Sequence, residues 1–182
     1  MISDKSKIAQ SAPLRIAYGA IIIALAVALG YALALVPNVE LVTLTLAFGG
    51  YLLGAGWGAV VGAIGFGLYS VLSPYGIAPP PLLFAQIIGG GVIGFGGSIL
   101  RRLDARKFTF MVFAAIIGLT ITLSYDILTN IGSFIIISSQ TTLIPFIIGG
   151  LSFSILHIVA NTVIFAVLFP VISRFVRRDK EG

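Results

Sequence analysis

The chain of 182 residues is 58% hydrophobic and only 9% charged, and its mean hydropathy is +1.12. About a quarter of the residues in a typical soluble chain are charged, so this composition excludes a water-soluble domain and indicates a membrane protein. The formal charge of +5 does not indicate nucleic-acid binding, because the basic residues form short clusters between apolar runs without a base-stacking motif. Cysteine is absent, which excludes disulfides and zinc–thiolate sites.

Apolar runs give the predicted helices, because a helix needs about 20 apolar residues to cross a bilayer. The first run is longer than the roughly 7–15 apolar residues of a signal peptide, so we interpret it as a retained helix. A shorter run at 41–53 lies between two turn sequences and predicts a short second helix. The sequence thus predicts an all-α membrane protein with six transmembrane helices, at 16–36, 41–53, 57–73, 82–100, 108–128 and 145–173.

The basic residues predict the orientation, because Lys and Arg are enriched in cytoplasmic loops. With six helices all three basic clusters fall on one side, whereas five helices would place the first cluster opposite the last. We therefore expect both termini in the cytoplasm, with an N-terminal segment at 1–15, the membrane domain at 16–173 and a basic tail at 174–182. The clusters are Lys5, Lys7 and Arg15; Arg101, Arg102, Arg106 and Lys107; and Arg174, Arg177, Arg178 and Lys180.

The outward loops are then expected at 37–40, 73–80 and 129–142, and none of them carries a basic residue. Pro74, Pro79, Pro80 and Pro81 make the middle loop stiff, and Pro81 is expected in the first turn of the fourth helix, where proline is tolerated.

Small residues recur at helical spacing. Ala20, Ala24, Ala28 and Ala32 line one face of the first helix, which allows another helix to approach closely. Spacing alone favours packing inside the bundle as the explanation of this alanine ladder, with docking of an external partner as the alternative. Similar glycine ridges in the third and fourth helices predict close packing within the bundle; they comprise Gly54, Gly58 and Gly62, and Gly90 and Gly94.

Polar side chains in the outer half of the bundle are the candidate site residues, because ionisable groups are rare in lipid unless they are functional. On the sixth helix, Ser154, His157 and Asn161 share one face and can line a cavity open to the outside. Each candidate also has a structural interpretation: Asp126 as a solvated helix end, His157 and Asn161 as interhelical hydrogen-bonding groups, and Glu40 as a flank of a helix start. The remaining candidate site residues are Gln86, Tyr125, Thr129 and Asn130.

Enzyme chemistry is poorly supported. The chain has a single His, no H-E-x-x-H sequence and no P-loop, so we expect no metal site, no cofactor and no catalytic residues. Any ATP-driven work would need another subunit.

The order of these motifs resembles the substrate-binding S components of energy-coupling factor (ECF) vitamin transporters. The likeness extends over nearly the whole chain. It rests on Ala20, Ala24 and Ala28; on Asn38-Val39-Glu40-Leu41-Val42-Thr43 before a short helix; on Ser73-Pro74-Tyr75-Gly76 followed by Pro81 and Gln86; and on Tyr125-Asp126-Ile127-Leu128-Thr129-Asn130 with His157 and Asn161 downstream.

The resemblance implies a multi-pass protein of a prokaryotic plasma membrane that captures a vitamin or related micronutrient at its outer face. It implies docking through Ala20, Ala24 and Ala28 onto a membrane coupling (T) subunit bound to two ATPases, and toppling in the membrane to carry the ligand inward. The implied substrate-binding residues are Glu40, Tyr75, Gln86, Tyr125, Asp126, Asn130, His157 and Asn161.

The charge of the outer half constrains the ligand. It contains Glu40 and Asp126 but no Lys or Arg, so a ligand carboxylate would be buried without a charge partner. We therefore expect a neutral or cationic ligand, with Tyr75, Tyr125 and Phe84 available for stacking and Trp57 a membrane anchor. Two alternatives to the S-component function remain. The first is an autonomous permease or homo-oligomeric transporter, and the second is a membrane enzyme using His157 and Asp126.

Overall fold

The computed structural model describes residues 11–36, 38–104, 108–137 and 142–178, and all regular structure within them is helical. This confirms the all-α prediction. In chain order the helices are α1 (Ala12–Ala32), α2 (Val42–Leu53), α3 (Ala55–Val71), α4 (Pro80–Ile99), α5 (Phe108–Ile137) and α6 (Leu143–Arg178), and a 3₁₀ turn (Leu100–Arg102) follows α4.

Helix α5 is longer than predicted. The sequence predicts a loop over 129–142, but α5 continues to Ile137, so the predicted loop is wrong over its first nine positions. The residues after Asn130 stay mostly apolar and contain no proline, so nothing in them ends the helix. Helix α4 begins at Pro80, and the prediction that Pro81 lies in its first turn is confirmed.

Four segments of the described chain are long and apolar enough to cross a membrane: Ala12–Ala32, Pro80–Arg102, Phe108–Ile137 and Ser154–Val176. With 12 and 17 residues, α2 and α3 are shorter than a usual span of about 20. Large apolar side chains such as Ile21, Ile116 and Val163 cover the outside of the bundle, where lipid tails can contact them.

The two ends of the bundle differ in character. At one end, which we call the basic end, Gly54 makes the sharp turn between α2 and α3 with φ of 94°, and Arg101 packs against it. At the other end, which we call the site end, the α1–α2 loop meets the α3–α4 loop, and the Tyr75 hydroxyl donates a hydrogen bond to the Ala34 carbonyl at 3.3 Å. The candidate polar residues gather at the site end.

Glycines bring α3 and α4 into backbone contact. A Cβ atom on Gly62 would overlap the carbonyl oxygen of Gly90, and one on Gly94 would overlap that of Gly58. The predicted packing role of these four glycines is confirmed, whereas Gly54 forms the α2–α3 turn and not part of the ridge. Membrane helices gain packing energy through such close approach, because lipid tails are themselves apolar and give no hydrophobic driving force for helix association.

The pairing of α5 with α6 fixes the register of the polar residues. These helices pack so that a Cβ on Gly118 would meet the ring of Phe165, which is fully buried. Asp126 and His157 each lie two turns, or about 12 Å, from that contact toward the site end. Antiparallel pairing therefore places Asp126 opposite His157.

The alanine ladder faces away from the bundle. Helix α1 packs inward through Gly19, Ile22, Ala26 and Gly30, all of which are buried. The ladder residues are exposed; they are Ala20, Ala24, Ala28 and Ala32. Packing inside the bundle, one of the two explanations of the ladder, is therefore wrong for this chain.

Candidate ligand-binding site

Glu40 lies in the α1–α2 loop and caps the start of α2. Its Oε2 atom accepts a hydrogen bond from the backbone N–H of Thr43 at 2.8 Å, so it satisfies one of the free N–H groups of the first helical turn. Burial alone would raise the pKa of the Glu40 carboxyl, but hydrogen bonds from His157 and Thr43 outweigh burial and hold the pKa below its ordinary value. Glu40 is therefore an anion at neutral pH.

His157 stands between two carboxyl groups. Its Nδ1 lies 3.0 Å from Oδ1 of Asp126 on α5, and its Nε2 lies 3.4 Å from Oε1 of Glu40. A neutral imidazole carries one N–H, so only the imidazolium form can donate to both carboxylates at once. This trio, which we call the carboxylate–histidine clamp, ties α5 and α6 to the α1–α2 loop.

Asn161, one turn further along α6, strengthens the clamp. Its Nδ2 donates to Oε1 of Glu40 at 3.1 Å, so Glu40 is held by two side chains of α6. The clamp is also incomplete, because Oδ1 of Asn161 and Oδ2 of Asp126 are buried without a hydrogen-bond partner in the described part of the chain. The two residues as a whole are only 1% and 5% exposed. Most buried acceptors in proteins have a hydrogen-bond partner, either protein or water, so these two atoms are available to a further donor.

Two cavities meet at the clamp and share Glu40, Tyr69 and His157 as lining residues. The larger, which we call the outer cavity, has a volume of about 220 Å³ and opens at the site end between the α1–α2 loop and Tyr75. The smaller, which we call the deep cavity, has a volume of about 100 Å³. Its remaining lining residues are Val42, Phe66 and Tyr125. Together the cavities are at the small end of the roughly 300–1,000 Å³ typical of small-molecule sites.

Three aromatic residues line the deep cavity beside the clamp. The rings of Phe66 and Tyr125 lie with centroids 4.6 Å apart, and the ring of Tyr69 stands edge-on to Phe66 at 6.2 Å. Tyr69 is fixed by Tyr31 of α1, which stacks on it at 5.1 Å and donates its hydroxyl hydrogen to the Tyr69 carbonyl at 2.7 Å. The Gln86 side chain lies within hydrogen-bonding reach of Tyr125.

The structure gathers most of the predicted site residues. Glu40, Tyr75, Tyr125 and His157 line the cavities. Asp126, Asn161 and Gln86 contact those lining residues from outside the cavities.

Other candidates lie apart from the cavities. Asn130 donates to the carbonyl of Asp126 at 2.7 Å, and Thr129 bonds to its own helix backbone. Phe84 is 66% exposed on the outside of α4 and does not line either cavity. Trp57 lies in the first turn of α3 at the basic end and packs against the core.

Sequence reasoning missed the aromatic residues of α3. Phe66 and Tyr69 both line the deep cavity, and Tyr69 also lines the outer one. Their spacing of three residues places them on one helix face near the site end. That spacing is the signal that was available, but aromatic residues are common in apolar helices and the pair does not stand out.

The chemistry of the site is that of binding. No Lys or Arg of the described chain contacts Glu40 or Asp126. The described residues also hold no group of three or more His, Cys, Asp or Glu side chains able to bind a metal ion. The arrangement offers aromatic faces, carboxylate acceptors and one imidazole.

The fold and site define a class of protein: a multi-pass helical membrane protein with polar cavities at one end of its described bundle. The model of one family, described as ECF-type riboflavin transporter, S component, matches residues 11–177. The chain belongs to this family, so it is a vitamin-binding subunit of a membrane transporter and not an enzyme. No curated protein and no solved structure matches the chain.

Proposed function

We propose that the chain captures a planar aromatic vitamin in the two cavities at the site end, and that riboflavin is the first ligand to test. The supporting observation is the deep cavity, which is lined by Phe66, Tyr69 and Tyr125 together with Glu40 and His157 of the carboxylate–histidine clamp. The family description names riboflavin, whose fused rings suit such a wall. The residues proposed to bind or position the ligand are the eight predicted from the sequence together with Phe66 and Tyr69.

The ligand is proposed to be neutral or cationic. Glu40 and His157 line the cavities and Asp126 contacts His157 from outside them, with no Lys or Arg of the described chain in contact with either carboxyl group. An anionic group placed there would lose its hydration without gaining a charge partner.

Riboflavin is expected to bind at least about tenfold more tightly than riboflavin 5′-phosphate, because the phosphate dianion would add negative charge to cavities that Glu40 lines and that no Lys or Arg of the described chain lines. The measurement is quenching of flavin fluorescence during titration with the purified chain in detergent.

Replacing Glu40 with Gln should reduce the difference in affinity between the two flavins, whereas Ile116→Trp on the lipid face of α5 should leave that difference unchanged. Equal affinity for the two flavins would contradict the exclusion of anions, and absence of riboflavin quenching would exclude riboflavin as the ligand.

The chain is proposed to work with a membrane coupling subunit and two ATPase subunits. The exposed alanine ladder supports this, because an exposed face of small residues lets another helix approach closely. Import of the captured vitamin would then draw on ATP hydrolysis in the partner subunits.

All six helices are proposed to cross the membrane, with the basic end in the cytoplasm. The basic residues at the α4–α5 connection and at the end of α6 support this orientation. The short α2 and α3 meet at Gly54 beside Arg101, so they are proposed to cross the bilayer as a pair that returns at the basic end. The membrane domain keeps the predicted bounds of 16–173.

Single cysteines should report this orientation cleanly, because the chain has no cysteine of its own. Ile77→Cys, in the exposed loop at the site end, is expected to react with a membrane-impermeant maleimide on intact cells. Asp104→Cys, in the loop after the 3₁₀ turn, should react only after the cells are permeabilised. Labelling of Asp104→Cys on intact cells would overturn the orientation.

A further inference from the structure

Tyr69 shapes both cavities of the candidate site. It lines the outer and the deep cavity, whereas Phe66 and Tyr125 line the deep cavity and Tyr75 lines the outer one. A change in the position of the Tyr69 side chain therefore alters the two cavities at once, and the shape offered to a ligand depends on what holds Tyr69 in place.

Tyr69 lies in the last turn of α3, which ends at Val71. Carbonyl groups in the last turn of a helix have no N–H donor from their own helix, and helix ends fray. Within α3 the ring is supported by an edge-on contact with Phe66 at 6.2 Å. The ring also borders open cavity space, where no side chain packs on it. A fixed position for Tyr69 therefore depends on support from another helix.

Tyr31 of α1 gives this support through two contacts. Its ring stacks on that of Tyr69, with centroids 5.1 Å apart and an interplanar angle of 27°. Its hydroxyl donates a hydrogen bond of 2.7 Å to the Tyr69 carbonyl, which supplies the donor that the last turn lacks. The neighbouring Gly30 allows the close approach, because a Cβ atom there would overlap the Tyr69 ring. Tyr31 itself does not line either cavity.

We propose that Tyr31 is a positioning residue of the ligand site, which fixes Tyr69 before the ligand binds. A stacked aromatic pair and a hydrogen bond together change an equilibrium constant by roughly five- to hundredfold, which is enough to decide between a fixed and a mobile ring. A site that is already ordered binds more tightly, because the ligand does not have to order it. The proposal rests on the proposed function, because it treats the two cavities as the vitamin site.

Tyr31→Leu removes both contacts and should lower the affinity for riboflavin at least about tenfold, whereas Tyr31→Phe keeps the ring and should lose no more than about threefold. Fluorescence titration of the purified full chain in detergent measures both. Tyr51→Leu is the matched control, because Tyr51 also stacks on an aromatic neighbour, Phe48 at 5.5 Å, but lines neither cavity. It should lower the midpoint of thermal unfolding and leave the affinity unchanged. Unchanged affinity in Tyr31→Leu would overturn the proposal.

A double-mutant cycle tests whether Tyr31 acts through Tyr69. Tyr69→Leu should weaken riboflavin binding, and adding Tyr31→Leu to it should cost less than about a further twofold, because the residue that Tyr31 holds is already gone. Losses that simply add would show that Tyr31 acts by another route and would overturn the proposal. Tyr31→Met also removes the ring, and it replaces Tyr31→Leu in every measurement if the leucine variant does not fold.

A measurement without ligand separates this proposal from the proposed function. In fluorine NMR of the chain labelled with 3-fluorotyrosine, the Tyr69 line is assigned by its loss in Tyr69→Phe. Tyr31→Leu should narrow this line as the ring becomes mobile, and Tyr51→Leu should leave its width unchanged. A narrowed line without riboflavin binding would refute riboflavin as the ligand and support the positioning role. Riboflavin binding with neither affinity nor line width changed in Tyr31→Leu would refute the positioning role alone.

Discussion

Tryptophan at both Ala24 and Ala28 is expected to separate the chain from its coupling subunit while leaving its fold and ligand binding intact. Both alanines are exposed, and α1 makes its internal contacts through Gly19, Ile22, Ala26 and Gly30 on another face. Two indole rings on the ladder would hold an approaching helix several ångströms away, which removes the close packing that drives association of membrane helices.

Co-purification measures the effect. When the chain is co-expressed with its coupling subunit and ATPases, the double variant should retain less than about a tenth of the complex, a loss of at least about 1.4 kcal/mol in association free energy. Ile116→Trp adds an equally large ring on the lipid face of α5 and should retain the complex. A complex that survives both tryptophans would contradict docking through the ladder.

The same variant discriminates between a transport subunit and an autonomous permease. Uptake of the ligand by this chain alone in liposomes, without ATPases, would support the permease, and self-association lost in the tryptophan variant would assign the ladder to a homo-oligomer. The proposed function instead predicts no uptake by the chain alone and uptake restored by the partner subunits.

Much of the fold can be predicted from the sequence because the lipid bilayer restricts which structures can span it. Each span must be long, apolar and helical, so the six helices could be located from hydrophobic length, with charge supporting the short second one. The end of α5 could not be located in this way. Helix α5 continues past Asn130 to Ile137 because polar residues at a membrane surface do not by themselves end a helix.

The site could be predicted in part for the same reason. Glu40, Asp126 and His157 stand out because ionisable side chains are scarce in an apolar chain. Their pairing could not be predicted, since Glu40 and His157 are 117 positions apart and meet only through helix packing. Tyr69 was missed because an aromatic site residue in an apolar helix cannot be distinguished from an ordinary packing residue until its neighbours in the fold are known.

The outward face of the alanine ladder shows a similar limit. Spacing alone allows packing inside the bundle or against a partner, because small residues serve both purposes. The structure excludes packing of the ladder inside the bundle, because α1 makes its internal contacts through a different face. A sequence pattern can define a helix face, but whether that face points into the bundle or away from it depends on how the other helices pack.

Replacing His157 with Leu is expected to cost about 3 kcal/mol of stability and to abolish tight ligand binding. His157 is the hydrogen-bonding partner of Oδ1 of Asp126, and Oδ2 has no partner in the described chain, so the substitution leaves a buried carboxylate uncompensated. Thermal unfolding in detergent should show the midpoint falling by roughly 6–12 °C.

A second substitution separates stability from binding. In the double variant His157→Leu with Asp126→Leu, both members of the buried pair are apolar, and such replacements are often neutral or stabilising. Most of the lost thermal stability should return, yet riboflavin affinity should remain at least about tenfold below that of the parent chain, because His157 lines both cavities. Val163→Ala, on the lipid face of α6, should change neither quantity appreciably. A double variant no more stable than His157→Leu would show that Asp126 is not the source of the destabilisation, and restored affinity would remove His157 from the ligand site.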